Sequence, residues 1–158
     1  ARYAVIPTRS DASSRKGLRE VARRFVTVRP RNPELELLGV IRTGITTSAK
    51  GIRDEVRADI DAELGGVAPV FETCIRYAER PAKAVRDTGQ LPHELRSRAE
   101  AQHKARFERM RAKKRAAESE PVLAPSISNL AQDYAALTQE FVDVLLAAES
   151  QMRGRHRS

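Results

Sequence analysis

Apolar residues fall first in short continuous runs and then at helical spacing, and the two patterns alternate. Tyr3-Ala4-Val5-Ile6-Pro7 reads as a buried strand stopped by proline. Asp11, Ser13 and Ser14 are candidate caps for a helix in which Leu18, Val21, Ala22 and Phe25 share one face and Arg19, Arg23 and Arg24 the other. Pro30 and Pro33 end it. A second strand, Leu35 to Ile41, leads into a loop from Arg42 to Ser48. Ser48 caps a further helix with Ile52, Val56, Ile60 and Leu64 on one side, closed by Gly65-Gly66. Val67 to Ile75 is the third strand, and a short helix follows near Pro81 to Asp87.

Strands alternating with helices imply an α/β fold with a parallel sheet covered on both faces. Three strands make a thin sheet, so half of a doubly wound domain is the economical reading. The chain opens on Ala1 and is inside an apolar run by Tyr3, from which we expect that residues upstream have been lost or omitted. Residues 1–95 form this α/β part. From 96 to 120 the pattern changes: nine Lys or Arg stand against four Glu with little apolar content, which predicts a solvated basic helix. Residues 121–126 are a linker. Ile127, Leu130, Tyr134, Leu137, Phe141, Val144 and Leu145 predict a long amphipathic helix over 127–150, packed on the sheet. A basic tail, 151–158, is expected to fray.

Charge narrows the partners. The 158 residues carry 29 Lys or Arg against 21 Asp or Glu, a net charge of +8, which favours anionic partners. Aromatics are 4% and Trp is absent, so single-strand binding by base stacking is not expected. The lone Cys74 excludes an internal disulfide, suits a reducing cytoplasm, and reads as a buried, inert thiol. No apolar run is long enough to span a bilayer. No glycine-rich phosphate loop of either common type, no metal-ligand spacing and no nucleophile elbow occurs. The carboxylates Asp54, Glu55, Asp59, Asp61 and Glu63 read as a solvated face, and His93 and His103 as exposed. The remaining chemistry lies in three loops that fall on one edge if the strands are parallel: Pro7 to Ser10, Arg42 to Gly44, and Arg76 to Pro81.

Four stretches carry a family resemblance. "YAVIPTRSDASSRKGL", "NPELELLGVIRTG", "VFETCIR" and "LAQDYAALTQEFVDVL" resemble, in order and spacing, the C-terminal half of the ParA/Soj partition ATPases, in the group that includes MinD. The last has the family's Tyr-x-x-Leu-x-x-Glu pattern. Arg76 stands where the family usually has proline, and Glu79-Arg80-Pro81 only echoes its Glu-Ala-Pro.

The resemblance implies a partial P-loop NTPase-like sheet, with the Walker A half missing and a long C-terminal helix. It implies a complete protein that binds ATP and Mg²⁺ as a homodimer, binds non-specific DNA, answers to a ParB-like adaptor, and works in plasmid or chromosome partition in the cytoplasm, on the nucleoid. It implies that Arg42, Thr43, Ile75 and Arg76 help hold the adenine side of the nucleotide, and that Lys50, Arg53, Arg57, Lys83 and Arg86 contact DNA. This chain alone, without the Walker lysine or switch aspartates, is expected to bind no cofactor and hydrolyse no ATP. The alternative is a non-enzymatic DNA-binding module, with the sheet as scaffold and Arg96 to Arg115 as the binder. An unrelated α/β fragment is a third reading.

Overall fold

The computed structural model describes residues 2–46, 54, 57–62, 66, 68–111 and 126–155. The chain divides into two compact units, Ala1–Tyr77 with Ala136–Ser158, and Ala78–Ala135.

The first unit is α/β. It contains β1 (Tyr3–Thr8), α1 (Ala12–Val28), a 3-10 turn at Arg29–Arg31, β2 (Glu36–Ile45) and β3 (Val70–Arg76). Residues 57–62 are helical. All strands are parallel and lie in the order β1-β2-β3. Pro7 lies inside β1 and does not stop it. β1 is at the margin of the described sheet, where a residue without an N–H need not break a ladder. β2 also runs on, through the residues read as a loop. Arg42 pairs with Thr8 of β1 and Cys74 of β3, Thr43 with Ile75 and Ile45 with Arg76, so pairing carries β2 through these residues despite their local turn preference, with Gly44 left-handed at φ 66°.

Helix α1 is held at its start by Asp11, whose carboxylate accepts from the Ser14 N–H and the Ser14 hydroxyl, both at 2.9 Å. It ends where Pro30 enters the 3-10 turn. Its apolar stripe packs on the sheet: Leu18 and Ala22 meet Val40 and Val70, with Ile60 and Ile6 against them. Leu18, Val40 and Ile60 are at most 2% exposed. Each such side chain contributes roughly 1.5–3 kcal/mol by burial. Gly39 is needed at the β2–β3 contact, since a Cβ there would sit 2.6 Å from the Phe71 ring and 2.9 Å from the Pro69 carbonyl oxygen.

The last helix, α4, spans Ser126–Arg155 once the helices α2 (Glu79–Thr88) and α3 (Pro92–Arg111) are counted. Its residues from 136 on belong to the first unit. Glu140 reaches β3, and Glu149 accepts from the Tyr3 hydroxyl of β1 at 2.8 Å. Nine residues of helix cover about 13.5 Å, enough to cross three strands spaced about 4.8 Å apart. The long helix expected on the sheet is therefore present, but it does not fray at Met152. That side chain is buried, and the helix continues to Arg155 because Ala148 and Met152 prolong the stripe at i, i+4. Tyr134, read as part of the stripe, is exposed.

The second unit is helical. α2 ends on Gly89, left-handed at φ 67°, whose N–H donates to the Val85 carbonyl at 2.9 Å. α3 begins at Pro92, earlier than expected, and Glu94 ties its start by accepting from the Leu91 N–H at 2.7 Å. Leu95, Ala99 and Ile127 form a small core with Ala84 and Val85. The expected linker lies outside the described residues. Among the described residues no helix is long and apolar enough to cross a membrane.

Candidate functional site at the carboxyl edge of the sheet

Parallel pairing brings the ends of β1, β2 and β3 to one edge. Thr8 pairs with Arg42, Arg42 with Cys74, and Thr43 with Ile75, so the four residues expected near a nucleotide are neighbours across two strands. The Thr43 hydroxyl donates to the Thr8 carbonyl at 3.1 Å, stitching β1 to β2. Ile75 is buried. Gly44 takes a left-handed φ of 66°, and a Cβ there would lie 3.1 Å from Arg9 Nε. The Arg9 side chain therefore lies along the end of β2. Beyond it the Tyr77 N–H donates to the Ile45 carbonyl at 2.8 Å, closing the edge.

Arg42 does something the sequence did not announce. From Val40 to Arg42 β2 advances two residues, while its partners on β3 advance four, from Val70 to Cys74. The surplus forms a bulge at 71–73. Arg42 Nη2 donates to the Phe71 and Glu72 carbonyls at 3.3 and 2.8 Å. On α4, the Glu140 carboxylate accepts from the Glu72 and Thr73 N–H groups at 2.7 and 2.8 Å. A cation and an anion thus take up the polar groups that the bulge removes from the ladder.

Arg42 is only 4% exposed, so its charge requires a counter-charge, and Glu140 supplies one. Burial pushes the Glu140 carboxyl up. The hydrogen bonds from Thr73 and from the Glu72 N–H, together with the charge of Arg42, outweigh it and hold the group below its ordinary range. Cys74, read as buried, is half-buried beside this clamp.

The expected DNA contacts are scattered. Lys50 and Arg53 lie outside the described residues. Arg57 forms an ion pair with Glu72 on β3. In the second unit, Lys83 pairs with Asp87 one helical turn on, and Arg86 is exposed in the last turn of α2. His93 and His103 are exposed. Glu140 and Arg9 were missed as site residues. Glu140 stands in the quoted Tyr-x-x-Leu-x-x-Glu pattern as the third member of the series Tyr134, Leu137, Glu140, and that was its signal. Arg9 had none beyond its place in the first edge loop.

Chemically, the edge offers cations and hydroxyls suited to an anion. Among the described residues no three His, Cys, Asp or Glu side chains gather as a metal would need. No family model matches the chain, nor does any curated protein or solved structure.

Proposed function

We propose that this chain is the C-terminal half of a ParA-like ATPase for plasmid or chromosome partition, whose complete form binds ATP and Mg²⁺ as a dimer, binds non-specific DNA, and responds to a ParB-like adaptor. The observation that carries the reading is the sheet. Three parallel strands in sequential order put Arg9, Thr43 and Arg76 at one carboxyl edge, with Thr43 paired to Ile75. Such an edge is where open α/β sheets bind ligands.

The residues present do not fit a whole nucleotide. The sequence has no glycine-rich loop to cradle a triphosphate. Arg42 is committed to the β3 bulge. Within this reading the chain contributes the base side through Thr43, Ile75 and Arg76. DNA contact falls to Lys50, Arg53, Arg57, Lys83 and Arg86.

Reading the upstream coding sequence tests the proposal. A Lys-Gly-Gly-x-Gly-Lys-[ST]-type loop in frame supports it. An intact upstream frame without one overturns it and leaves the basic DNA-binding module.

A further inference from the structure

The sheet has two margins, and they are finished differently. At β3 the bulge breaks the ladder, the Glu140 carboxylate takes two N–H groups of the strand, and Val70, Phe71 and Ile75 are buried. Bulges and charges of this kind blunt a strand edge. β1 carries no charged side chain, and the irregularity in its pairing puts the extra residue, Leu38, on β2. Tyr3, Ala4, Val5 and Ile6 are only half-buried, and among the described residues no strand pairs beyond them.

The backbone of β1 shows what that margin offers. The Glu36 N–H donates to the Arg2 carbonyl at 2.8 Å, and the Thr43 hydroxyl to the Thr8 carbonyl at 3.1 Å. Even-numbered residues therefore turn their backbone groups to β2. The two-residue period of a strand sends the N–H and C=O groups of Tyr3 and Val5, and the Pro7 carbonyl, to the open side. The flank is apolar as well. Val142, Leu146 and Glu149 recur at i, i+4, i+7 and share one side of α4. Glu149 bonds the Tyr3 hydroxyl, which makes this the β1 side. Val142 and Leu146 are 40% and 60% exposed there.

We propose that β1 is an interior strand of a longer sheet: its outer edge receives a parallel apolar strand from the upstream half of the domain, and that half covers Val142 and Leu146. A second copy of this chain fits less well. A two-fold pair centred on Val5 sets Tyr3 against Pro7 of the mate, so both Tyr3 carbonyls lose a donor. A parallel strand loses only the Pro7 donor, at the end of the ladder. Two copies that each carry a net charge of +8 also repel. That β1 is continued rests on the margin alone. That the added strand is parallel and comes from the other half rests on the proposed function, since in doubly wound sheets the first strands of the two halves lie side by side.

The test measures amide exchange on this chain and on the product of the complete reading frame that contains it. In the chain, the Tyr3 and Val5 amides should exchange quickly, and those of Ala4 and Ile6, which face β2, slowly. In the complete product Tyr3 and Val5 should slow by about a hundredfold or more. Val142→Glu with Leu146→Glu gives a second measurement. The pair should leave the thermal midpoint of the chain where it is and lower that of the complete product by several degrees. Phe107→Glu, at a similarly exposed residue of α3, should move neither.

Tyr3 and Val5 amides that stay fast in the complete product overturn the inference, and so does a frame that adds no strand upstream. Slow exchange of both in the chain alone also overturns it, through a second copy if it fades on dilution and through the chain's own residues if it does not. A midpoint lowered in the chain itself would mean that the flank is already covered, with the same result. The proposed function fails separately. A Lys-Gly-Gly-x-Gly-Lys-[ST]-type loop upstream with fast Tyr3 and Val5 amides leaves that function standing and removes this inference. Slow amides without such a loop do the reverse.

Discussion

Helices α1 and α3 both carry a surplus of cations, yet they are different objects. α1 has a buried partner face, with Leu18 2% and Ala22 6% exposed, so its charges are gathered on one side and fixed in direction by the sheet. Among the described residues, α3 is anchored in its first half, by Leu95 and Ala99. Beyond Ala99 no described side chain of α3 is buried, and Phe107 is 52% exposed. Its six Lys or Arg and three Glu are spread around the helix. A charge surplus becomes a surface of fixed geometry only when the opposite side of the element has something to bury.

The sharpest way to break this comparison is to remove an anchor from each helix. Leu18→Ala empties a site between α1 and the sheet and should cost about 2–5 kcal/mol. Phe107→Ala on the outer half of α3 should change stability by no more than about 0.5 kcal/mol. Urea unfolding of both variants measures the difference. Equal losses would mean that α3 is packed as firmly as α1.

The sheet that fixes α1 is itself fastened by Arg42 and Glu140, which gives the next largest effect. Glu140→Ala leaves the Glu72 and Thr73 N–H groups without their acceptor and removes the negative charge set against the buried Arg42. The expected cost is about 1–3 kcal/mol, with faster amide exchange at Glu72 and Thr73 and unchanged exchange in α3. The sign with pH follows from the lowered carboxyl. Its stabilisation is complete above the unfolded value of about 4.3 and fades as pH falls through the lower folded value. The parent and Glu140→Ala should therefore converge in stability in acid. A constant gap down to pH about 2 would show that charge plays no part in the clamp.

Native-state hydrogen exchange on the parent sharpens the comparison without mutation. Amides of α1 around Leu18 and Ala22 should open only with the unit. Those of α3 should be protected up to Ala99 and lose protection beyond it, with opening free energies falling toward zero. Uniform protection along α3 would require contacts that its exposed outer half does not display.

These contrasts mark how much was legible in the sequence. The 3.6-residue stripe of Leu18, Val21, Ala22 and Phe25 announced α1, although Val21 is exposed, and the apolar runs announced all three strands, because both patterns are local. The β3 bulge was invisible, since Phe71-Glu72-Thr73 differs in no local way from regular strand. The fate of Arg42 depended on the Phe71 and Glu72 carbonyls of the bulge and on the charge of Glu140, 98 positions away. A buried arginine at a strand end has the same sequence signature as one that waits for a ligand. The end of β2 was misplaced for a related reason: Thr43-Gly44 has the chemistry of a turn, and pairing of Thr43 with Ile75 and of Ile45 with Arg76 carries the strand through it. The edge itself was legible, because parallel connectivity follows from alternating elements.

The smallest expected effect concerns the cap of α1. Asp11 lies below the usual carboxylate range because the Ser14 N–H and hydroxyl both donate to it, an effect larger than its slight desolvation or the nearby Arg9. Its contribution is present above the unfolded carboxylate value of about 3.9 and lost as pH falls through the folded one. Asp11→Ala should lower stability modestly near neutral pH, and the gap should narrow in acid. Asp11→Asn keeps a capping oxygen but removes the negative charge that complements Lys16 and the positive end of the helix dipole. It should fall between the parent and the alanine variant at pH 7 and lie close to the parent in acid. The same pair of variants should leave the exchange of α3 untouched, because that helix is tied at its own start by Glu94. A loss in α3 equal to that in α1 would mean that the two helices melt as one, and the contrast between them would then reflect composition alone.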